Sequence, residues 1–406
     1  MISLIAGKRN YVIGVSLVAL AIVLFFGNLS FVRGNPGGFD FLAHWQGTRL
    51  FITEGIDPYS DSSTSQINAL INEQGAADEG DYRFTAPLYS IILYAPLSLI
   101  KNYEIARAIW MTFLECLLVL SGILVLNWTR WKISLSVKAL LLIILVFSVP
   151  SVTSLLTGNP SIVSFVLLAG AITFLLKRQD EAAGLLLAFS LIKPEMVYLI
   201  VLILLIWARV RKRTRLVGCF LGTFALMIGF SMLLIPEWPI AFVQGIINYS
   251  TGNPIQVAGT APSAINIRLL IAKNLALIVL LVFEWFAVKI HGSKRLIWNI
   301  AVLLVISQWI GNSVNIEHTI FIIPALYVGL AFLMEVWKGK VALVSILLPI
   351  ALFILTWAFS GVIFPGISAV WSTVILTIMT PSVVLVLLYW TRWWVIRSEK
   401  FSVESL

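Results

Sequence analysis

The residues best suited to chemistry begin at a carboxylate that directly follows the first apolar segment. Asp40 lies in Gly37-Gly38-Phe39-Asp40-Phe41, where a helix over residues 11–32 would leave a membrane. A carboxylate at the membrane edge is costly if it is buried, and it is often functional if it faces a cavity. The alternative to a functional role is that Asp40 stabilises a helix N-terminus or is simply solvated. Asp40 is therefore the first candidate for a general base.

Few other polar residues are expected at membrane depth or on the outer side of the membrane. The ones that we predict to bind a substrate are Asp57, His44, Arg83, Asn159, Lys193, Arg268 and His318. Nearly all of them fall on one predicted side, so they could converge on a single outward-facing cavity. Carboxylates, a histidine and isolated cations suit general-base catalysis with electrostatic stabilisation of an anionic leaving group.

Each of these residues also has a structural interpretation. Asp57 and Asn159 both precede proline, which is typical of a turn. Lys193 could extend its amine to an interface, and His318 could satisfy a helix end. Two further residues could be ordinary loop residues at the surface, namely Arg83 and Arg268.

The composition indicates a polytopic helical membrane protein. The chain has 406 residues, is 60% hydrophobic and 12% charged, and has a mean hydropathy of +0.98, which no soluble domain of this length shows. The net charge of +9 arises mostly from short basic loops between apolar segments, as the positive-inside rule expects, and does not indicate a nucleic-acid partner. Cys116 and Cys219 lie inside apolar segments, so a disulfide framework is not expected.

The apolar pattern predicts an all-α fold of about 10–12 transmembrane helices in one domain over residues 1–406. Basic flanks place both termini in the cytoplasm, and the acids are concentrated in a first extracytoplasmic loop over residues 33–101. Within that loop, helical spacing predicts a short interfacial helix at 41–51. The apolar segment at residues 86–100 is too short to span a membrane, so we predict that it forms a re-entrant or surface helix.

Two interruptions of the apolar pattern are informative. Residues 157–161 contain Gly, Asn and Pro and predict a tight outer turn between spans at 138–156 and 161–176. The apolar stretch 182–208 is broken at Lys193-Pro194-Glu195 and has basic residues at both ends, which predicts two short helices that meet at the break.

Signatures of bound cofactors are missing from the sequence. It contains no His-x-x-x-His pair, no cysteine cluster, no Asp-x-Asp motif and no glycine-rich phosphate loop. We therefore expect neither a protein-bound metal nor another cofactor.

Several short motifs occur in a fixed order along the chain. Gly38-Phe39-Asp40-Phe41 is followed by Gly55-Ile56-Asp57-Pro58-Tyr59, and later come Phe84-Thr85-Ala86-Pro87-Leu88, Gly158-Asn159-Pro160-Ser161 and Leu191-Ile192-Lys193-Pro194. In this order the motifs resemble those of glycosyltransferase family 87, a family of polyprenyl-phosphate-dependent enzymes. Thr85-Ala86 replaces a family Tyr-Pro, and Asn159 replaces a Gln. The resemblance extends over residues 37–320.

The resemblance implies a GT-C-like bundle in the plasma (inner) membrane, with its active site on the extracytoplasmic side. The implied reaction transfers a hexose, with mannose the first expectation, from a polyprenyl phosphate to a lipid or glycan acceptor by metal-independent inverting displacement. It assigns the catalytic carboxylate to Asp40. Contacts to the phosphate or acceptor would come from Lys193, Arg268, Arg83 or His318.

A different class of function remains open at this point, namely a transporter or lipid flippase with Lys193 and the acids along its pathway. A transporter of this kind predicts polar residues near the membrane midplane and repeat symmetry. In this sequence the polar residues are predicted on one side, and no repeat is evident. The acceptor and the oligomeric state are not specified by the sequence.

Overall fold

The computed structural model describes residues 2–74, 82–252, 264–287, 292–310, 316–337, 342–360 and 374–397. Within these ranges the regular secondary structure is helical, as the sequence predicted. A helix satisfies its backbone hydrogen bonds internally, which is what an apolar segment in a bilayer requires.

The described ranges contain seventeen α-helices. In chain order they are α1 Ile2–Gly34, α2 Phe39–Glu54, α3 Asp61–Glu73, α4 Ile91–Ser98, α5 Tyr103–Leu126, α6 Leu135–Val146, α7 Val149–Thr157, α8 Ser161–Leu176, α9 Asp180–Ser190, α10 Pro194–Val210, α11 Thr214–Leu234, α12 Trp238–Gly252, α13 Ala264–Val282, α14 Gly292–Ser307, α15 Ile322–Trp337, α16 Ala342–Ala358 and α17 Thr380–Arg397.

Six helical segments are long and apolar enough to cross a membrane: Gly14–Gly34, Tyr103–Leu126, Thr214–Leu234, Arg268–Phe286, Ile316–Trp337 and Ile375–Val395. Large apolar side chains on these segments face outward; Leu226 is 75% exposed and Leu233 is 84% exposed. Such faces are stable against lipid chains and unfavourable in water. The chain is therefore a multi-pass, all-α membrane protein. The larger count of ten to twelve spans stays a prediction, since several described helices, such as α8 and α16, are shorter.

The segment predicted as one span at 138–156 is instead two helices, α6 and α7, that are bent by 48°. Pro150 lies in the first turn of α7 and has no backbone N–H to continue the helical ladder. Beside the bend, Ser148 Oγ and Ser151 Oγ donate to the Leu145 carbonyl oxygen at 2.9 Å and 2.7 Å. The break is thus stabilised at low cost inside an apolar environment.

The predicted helix at 41–51 is confirmed and extends over the whole of α2. The segment 86–100 forms a 3₁₀ turn, Leu88–Ser90, followed by α4. The predicted break at Lys193-Pro194 is also observed, between α9 and α10.

Two helices occur where the sequence was interpreted as extracytoplasmic loop. In α3, Ser60 Oγ caps the helix by accepting from Ser63 N at 3.2 Å, and Ile67 and Ile71 are buried. The helix α12 lies within residues 236–268, a second stretch that the sequence predicts on the outer side of the membrane. The acidic run at 78–81 and the polar residues 312–315 fall outside the described residues.

The chain divides into two compact units. Unit 1 comprises Met1–Leu117, Leu155–Pro160 and Phe230–Asn253, and unit 2 comprises Leu118–Ser154, Ser161–Gly229 and Pro254–Leu406. In unit 1, an aromatic cluster joins α2 to α5 through the Phe41 and Trp110 rings, stacked 5.4 Å apart. In unit 2, Trp298 of α14 donates through Nε1 to the Leu388 carbonyl oxygen of α17 at 2.8 Å. The single-domain prediction stays a prediction.

Candidate active site

Asp40 and Asn159 contact each other in unit 1, although 119 positions separate them in the chain. Asp40 is the second residue of α2 and is half-buried, and Asn159 Nδ2 donates to its Oδ2 at 2.8 Å. The first turn of a helix is a favourable place for a carboxylate, because the unpaired backbone N–H groups make it electropositive. The hydrogen bond from Asn159 thus holds the Asp40 carboxylate in one orientation.

A glycine makes this contact possible. Gly158 has φ +73°, and a Cβ built there would lie 2.4 Å from the Cβ of Phe41, the neighbour of Asp40. The Gly158 carbonyl oxygen also accepts from Trp110 Nε1 at 2.8 Å. Close backbone approach to α2 at Gly158 therefore brings the following residue, Asn159, to the carboxylate.

Two buried residues of α5 hold the turn that precedes Asp40. The Tyr103 hydroxyl lies 2.8 Å and 2.9 Å from the carbonyl oxygens of Gly37 and Gly38 and donates to them. The Arg107 guanidinium is 3% exposed and donates to the Asn35 carbonyl oxygen at 2.8 Å. A Cβ at Gly38 would lie 2.4 Å from Arg107 Nε, so only glycine fits beneath this side chain.

The substitution Tyr103→Phe tests this support. It removes only the hydroxyl group, and we expect a loss of about 1–2 kcal/mol in unfolding free energy, because the two glycine carbonyl groups lose a buried donor. Thermal unfolding of the purified protein in detergent measures the effect. Tyr198→Phe is the matched control, since Tyr198 is 46% exposed and should be unaffected. Equal stability of both variants would contradict a supporting role for Tyr103.

His44 lies one turn after Asp40 and belongs to the core of unit 1. Its Nδ1 is 2.6 Å from the Asp40 carbonyl oxygen, and its ring stacks on Tyr94 and meets Phe84 edge-on, at 5.1 Å and 5.3 Å between centroids. The side chain is 7% exposed. These contacts give His44 a packing role that orients the start of α2.

Asp57 adopts the turn geometry that its Asp-Pro dipeptide predicted. Its Oδ1 accepts from Tyr59 N at 2.9 Å. The Tyr59 hydroxyl then donates to the Ala86 carbonyl oxygen at 2.7 Å, and burial raises the pKa of this phenol. The Gly55-Ile56-Asp57-Pro58-Tyr59 motif thus ties the end of α2 to residue 86. Arg83 is half-buried and lies in the segment without regular secondary structure that precedes Phe84.

Unit 2 contains a second polar cluster, at the break between α9 and α10. Lys193 is 7% exposed, and its Nζ donates to Ser161 Oγ at 2.9 Å. His318, in the 3₁₀ turn Ile316–Phe321, is also 7% exposed and lies within electrostatic range of Lys193. Its Nε2 has no hydrogen-bond partner among the described residues. The Glu195 carboxyl is also within electrostatic range of Lys193. A buried amine close to an imidazole is suited to binding an anion.

The family model of glycosyltransferase family 87 matches residues 84–310, which is more than half of the chain. The chain belongs to glycosyltransferase family 87. With its multiple apolar helices, the protein is therefore a membrane glycosyltransferase. Searches of curated proteins and of solved structures each found no match.

The matched range of this family 87 transferase contains Asn159, Lys193 and Arg268, whereas Asp40 precedes it and His318 follows it. The match therefore supports the family and leaves the role of Asp40 to be tested by experiment. Arg268 is exposed at the start of the span Arg268–Phe286. The structure brings Asp40 together with Asn159, and Lys193 together with Ser161 and the region of His318.

Tyr103 and Arg107 were missed by sequence reasoning, although both support the Gly37-Gly38 turn in this transferase. The sequence could have indicated a structural role for Arg107, because a charged residue within the apolar segment Tyr103–Leu126 needs buried partners. Tyr103 carries no such signal, since tyrosine at the start of a membrane helix is ordinary.

Proposed function

We propose that this glycosyltransferase transfers a hexose, with mannose the first candidate, from a polyprenyl phosphate to a lipid or glycan acceptor at the extracytoplasmic face of the plasma membrane. The orientation follows from the basic residues of the loops that are predicted to be cytoplasmic. The proposal is supported most by the hydrogen bond between Asn159 and Asp40, which fixes a carboxylate at the start of α2.

In this proposal, Asp40 acts as the general base. It takes the proton of the acceptor hydroxyl while the acceptor oxygen attacks the anomeric carbon and the lipid phosphate leaves from the opposite face. Asn159 holds one carboxylate oxygen, so that the other can face the acceptor. The configuration at the anomeric carbon is inverted in a single displacement.

The leaving lipid phosphate is already anionic and requires cations rather than a proton donor. Lys193 carries this role in the proposal, with His318 as a second donor from the same cluster. The buried position of both side chains strengthens their interaction with an anion, because the surrounding dielectric constant is low.

Substituting Lys193 tests the phosphate-binding role. We expect Lys193→Met to raise the KM for the lipid-linked donor by about tenfold, because one charge-assisted hydrogen bond is lost. Lys193→Arg should recover part of the affinity. Steady-state kinetics with varied donor and a fixed acceptor measure the change, and an unchanged KM in the methionine variant would contradict the assignment.

Chelation tests the metal-independent mechanism. Because Asp40 and protein cations supply the chemistry in this proposal, we expect the rate of transfer to be unchanged in excess EDTA. The assay compares EDTA-treated protein with protein supplied with Mg²⁺ or Mn²⁺. Loss of activity in EDTA that is restored by either ion would contradict the mechanism.

A donor screen tests the proposed function as a whole. Full-length protein in lipid nanodiscs is incubated with radiolabelled synthetic polyprenyl-phosphate hexoses or with the corresponding nucleotide sugars, together with a membrane lipid and glycan extract as acceptor. We expect label to be transferred from the polyprenyl phosphate. Transfer from the nucleotide sugar alone would overturn the proposal.

A further inference from the structure

Two half-buried aromatic residues meet at the start of α2, next to Asp40 in unit 1. Phe39 directly precedes Asp40 as the first residue of α2, and its ring meets the Tyr82 ring edge-on, with 5.5 Å between the ring centres. Both residues belong to the loop that is predicted on the extracytoplasmic side. The pair thus offers partly accessible aromatic surface one residue away from the proposed base.

The Tyr82 backbone is held by a side chain of α3. Asn68 Oδ1 accepts from Tyr82 N at 3.0 Å, and Asn68 Nδ2 donates to the Tyr82 carbonyl oxygen at 3.2 Å. One amide side chain therefore pairs with both backbone polar groups of Tyr82. Two residues later, Phe84 is buried, and its ring meets the rings of His44 and Tyr59 edge-on, at 5.3 Å and 5.4 Å between centres. The backbone that carries the Tyr82 ring is thus fixed on both sides.

The chemistry of this aromatic pair suits a sugar ring. The faces of an aromatic ring carry partial negative charge, and its edges carry partial positive charge. A pyranose ring has an apolar face of C–H bonds, which packs on an aromatic face while the hydroxyl groups of the sugar remain hydrogen-bonded. Because the contact between Phe39 and Tyr82 is edge-on, it occupies a face of only one of the two rings. A platform that is already held in place loses little conformational entropy when it binds.

We propose that Phe39 and Tyr82 bind a pyranose ring of the acceptor, so that the acceptor is a glycan or glycolipid rather than a lipid without sugar. This inference rests on the proposed function, in which Asp40 takes the proton of the acceptor hydroxyl. A pyranose ring on this pair lies next to the carboxylate, because Phe39 and Asp40 are consecutive residues. The alternative is that the two side chains only anchor the loop in the membrane interface, where aromatic residues are enriched.

Sugar binding is measured by saturation-transfer NMR on the full-length protein in lipid nanodiscs, without any donor. The probes are the methyl α-pyranosides of mannose, glucose and galactose, and the comparison ligand is mannitol, which has the hydroxyl groups of a sugar without the ring. The variants are Phe39→Leu and Tyr82→Leu, which each remove one aromatic ring, and Tyr82→Phe, which removes only the hydroxyl group. Tyr11→Leu is the matched control, since Tyr11 is 75% exposed and lies about 35 Å from Gly34 along α1.

We expect the wild type and Tyr11→Leu to bind at least one of the pyranosides and not mannitol. Phe39→Leu and Tyr82→Leu should bind that pyranoside about fivefold more weakly, because each loses one aromatic contact, and Tyr82→Phe should bind it more tightly than Tyr82→Leu. Thermal unfolding establishes that each variant is folded. Absence of pyranoside binding in the wild type, equal binding of mannitol, or equal affinity in all variants would refute the proposal and leave the pair as an interface anchor.

Transfer kinetics assign the bound ring to the acceptor. With a polyprenyl-phosphate hexose as donor and the octyl glycoside of the bound sugar as acceptor, Tyr82→Leu should raise the acceptor KM about fivefold and leave the donor KM unchanged. A rise in the donor KM alone would contradict the assignment to the acceptor. The NMR measurement needs no transfer. A protein that binds pyranosides but consumes no polyprenyl-phosphate donor would therefore contradict the proposed function and not the pyranose site at Phe39 and Tyr82.

Discussion

Asp40→Asn is expected to lower the rate of hexose transfer by at least about 10²-fold while the protein remains folded. Loss of a general base removes this much in typical enzymes. The asparagine side chain keeps the size of aspartate, and its carbonyl oxygen can still accept from Asn159 Nδ2, so α2 should start as before. The measurement is the initial rate of transfer from a polyprenyl-phosphate hexose in nanodiscs, together with thermal unfolding.

Asp57→Asn is the matched control for this substitution. Asp57 is an acid of the same loop, and its Oδ1 accepts from Tyr59 N at 2.9 Å, a role that an amide oxygen retains. We expect near-normal transfer in this variant. Near-normal transfer in the Asp40 variant, or an equal loss in both, would rule out a specific role of Asp40 as base.

The second large effect is expected for Gly158→Ala. Its left-handed backbone disfavours alanine by about 1–2 kcal/mol. The new Cβ would also meet the Cβ of Phe41 at 2.4 Å, which forces α2 and the turn at 157–161 apart. We expect a total loss of about 2–5 kcal/mol in unfolding free energy. Transfer should also fall in the protein that remains folded, because Asn159 moves away from Asp40.

Gly55→Ala separates the effect of the left-handed backbone conformation from the effect of the contact with Phe41. Gly55 has φ +69°, nearly the same backbone conformation, but a Cβ there would meet nothing within 4 Å. We expect a loss of only about 1–2 kcal/mol and unchanged transfer. Thermal unfolding and initial rates of both variants provide the comparison. Equal effects on stability and rate would contradict the importance of the contact between Gly158 and Phe41.

Much of the fold could be predicted from the sequence, because local signals dominate in a membrane chain. A long apolar segment predicts a helix, because a helix satisfies its backbone hydrogen bonds within the segment. The break at Lys193-Pro194 follows from the missing N–H of proline. The bend between α6 and α7 was missed, since Ser148 and Ser151 satisfy the backbone there through side chains that look unremarkable in an apolar run. The helix α3 was missed because its polar composition masked the cap at Ser60 and the buried stripe of Ile67 and Ile71.

The candidate site was less predictable, because it depends on contacts between distant parts of the chain. The sequence nominated Asp40 and Asn159 separately, yet their hydrogen bond depends on how Gly158 packs against Phe41. The glycine motif before Asp40 was noticed, but its partners Tyr103 and Arg107 come from α5 and are identified only by packing. Pairing of this kind is a property of tertiary structure, which residue types and spacing do not encode by themselves.

The most direct test of the central claim is the anomeric configuration of the product formed from a polyprenyl-phosphate hexose of defined anomer. The product is made by the wild-type protein in nanodiscs and analysed by NMR spectroscopy of the anomeric proton. With Asp40 as base in a single displacement, the product carries the inverted configuration. A product with retained configuration would contradict this mechanism.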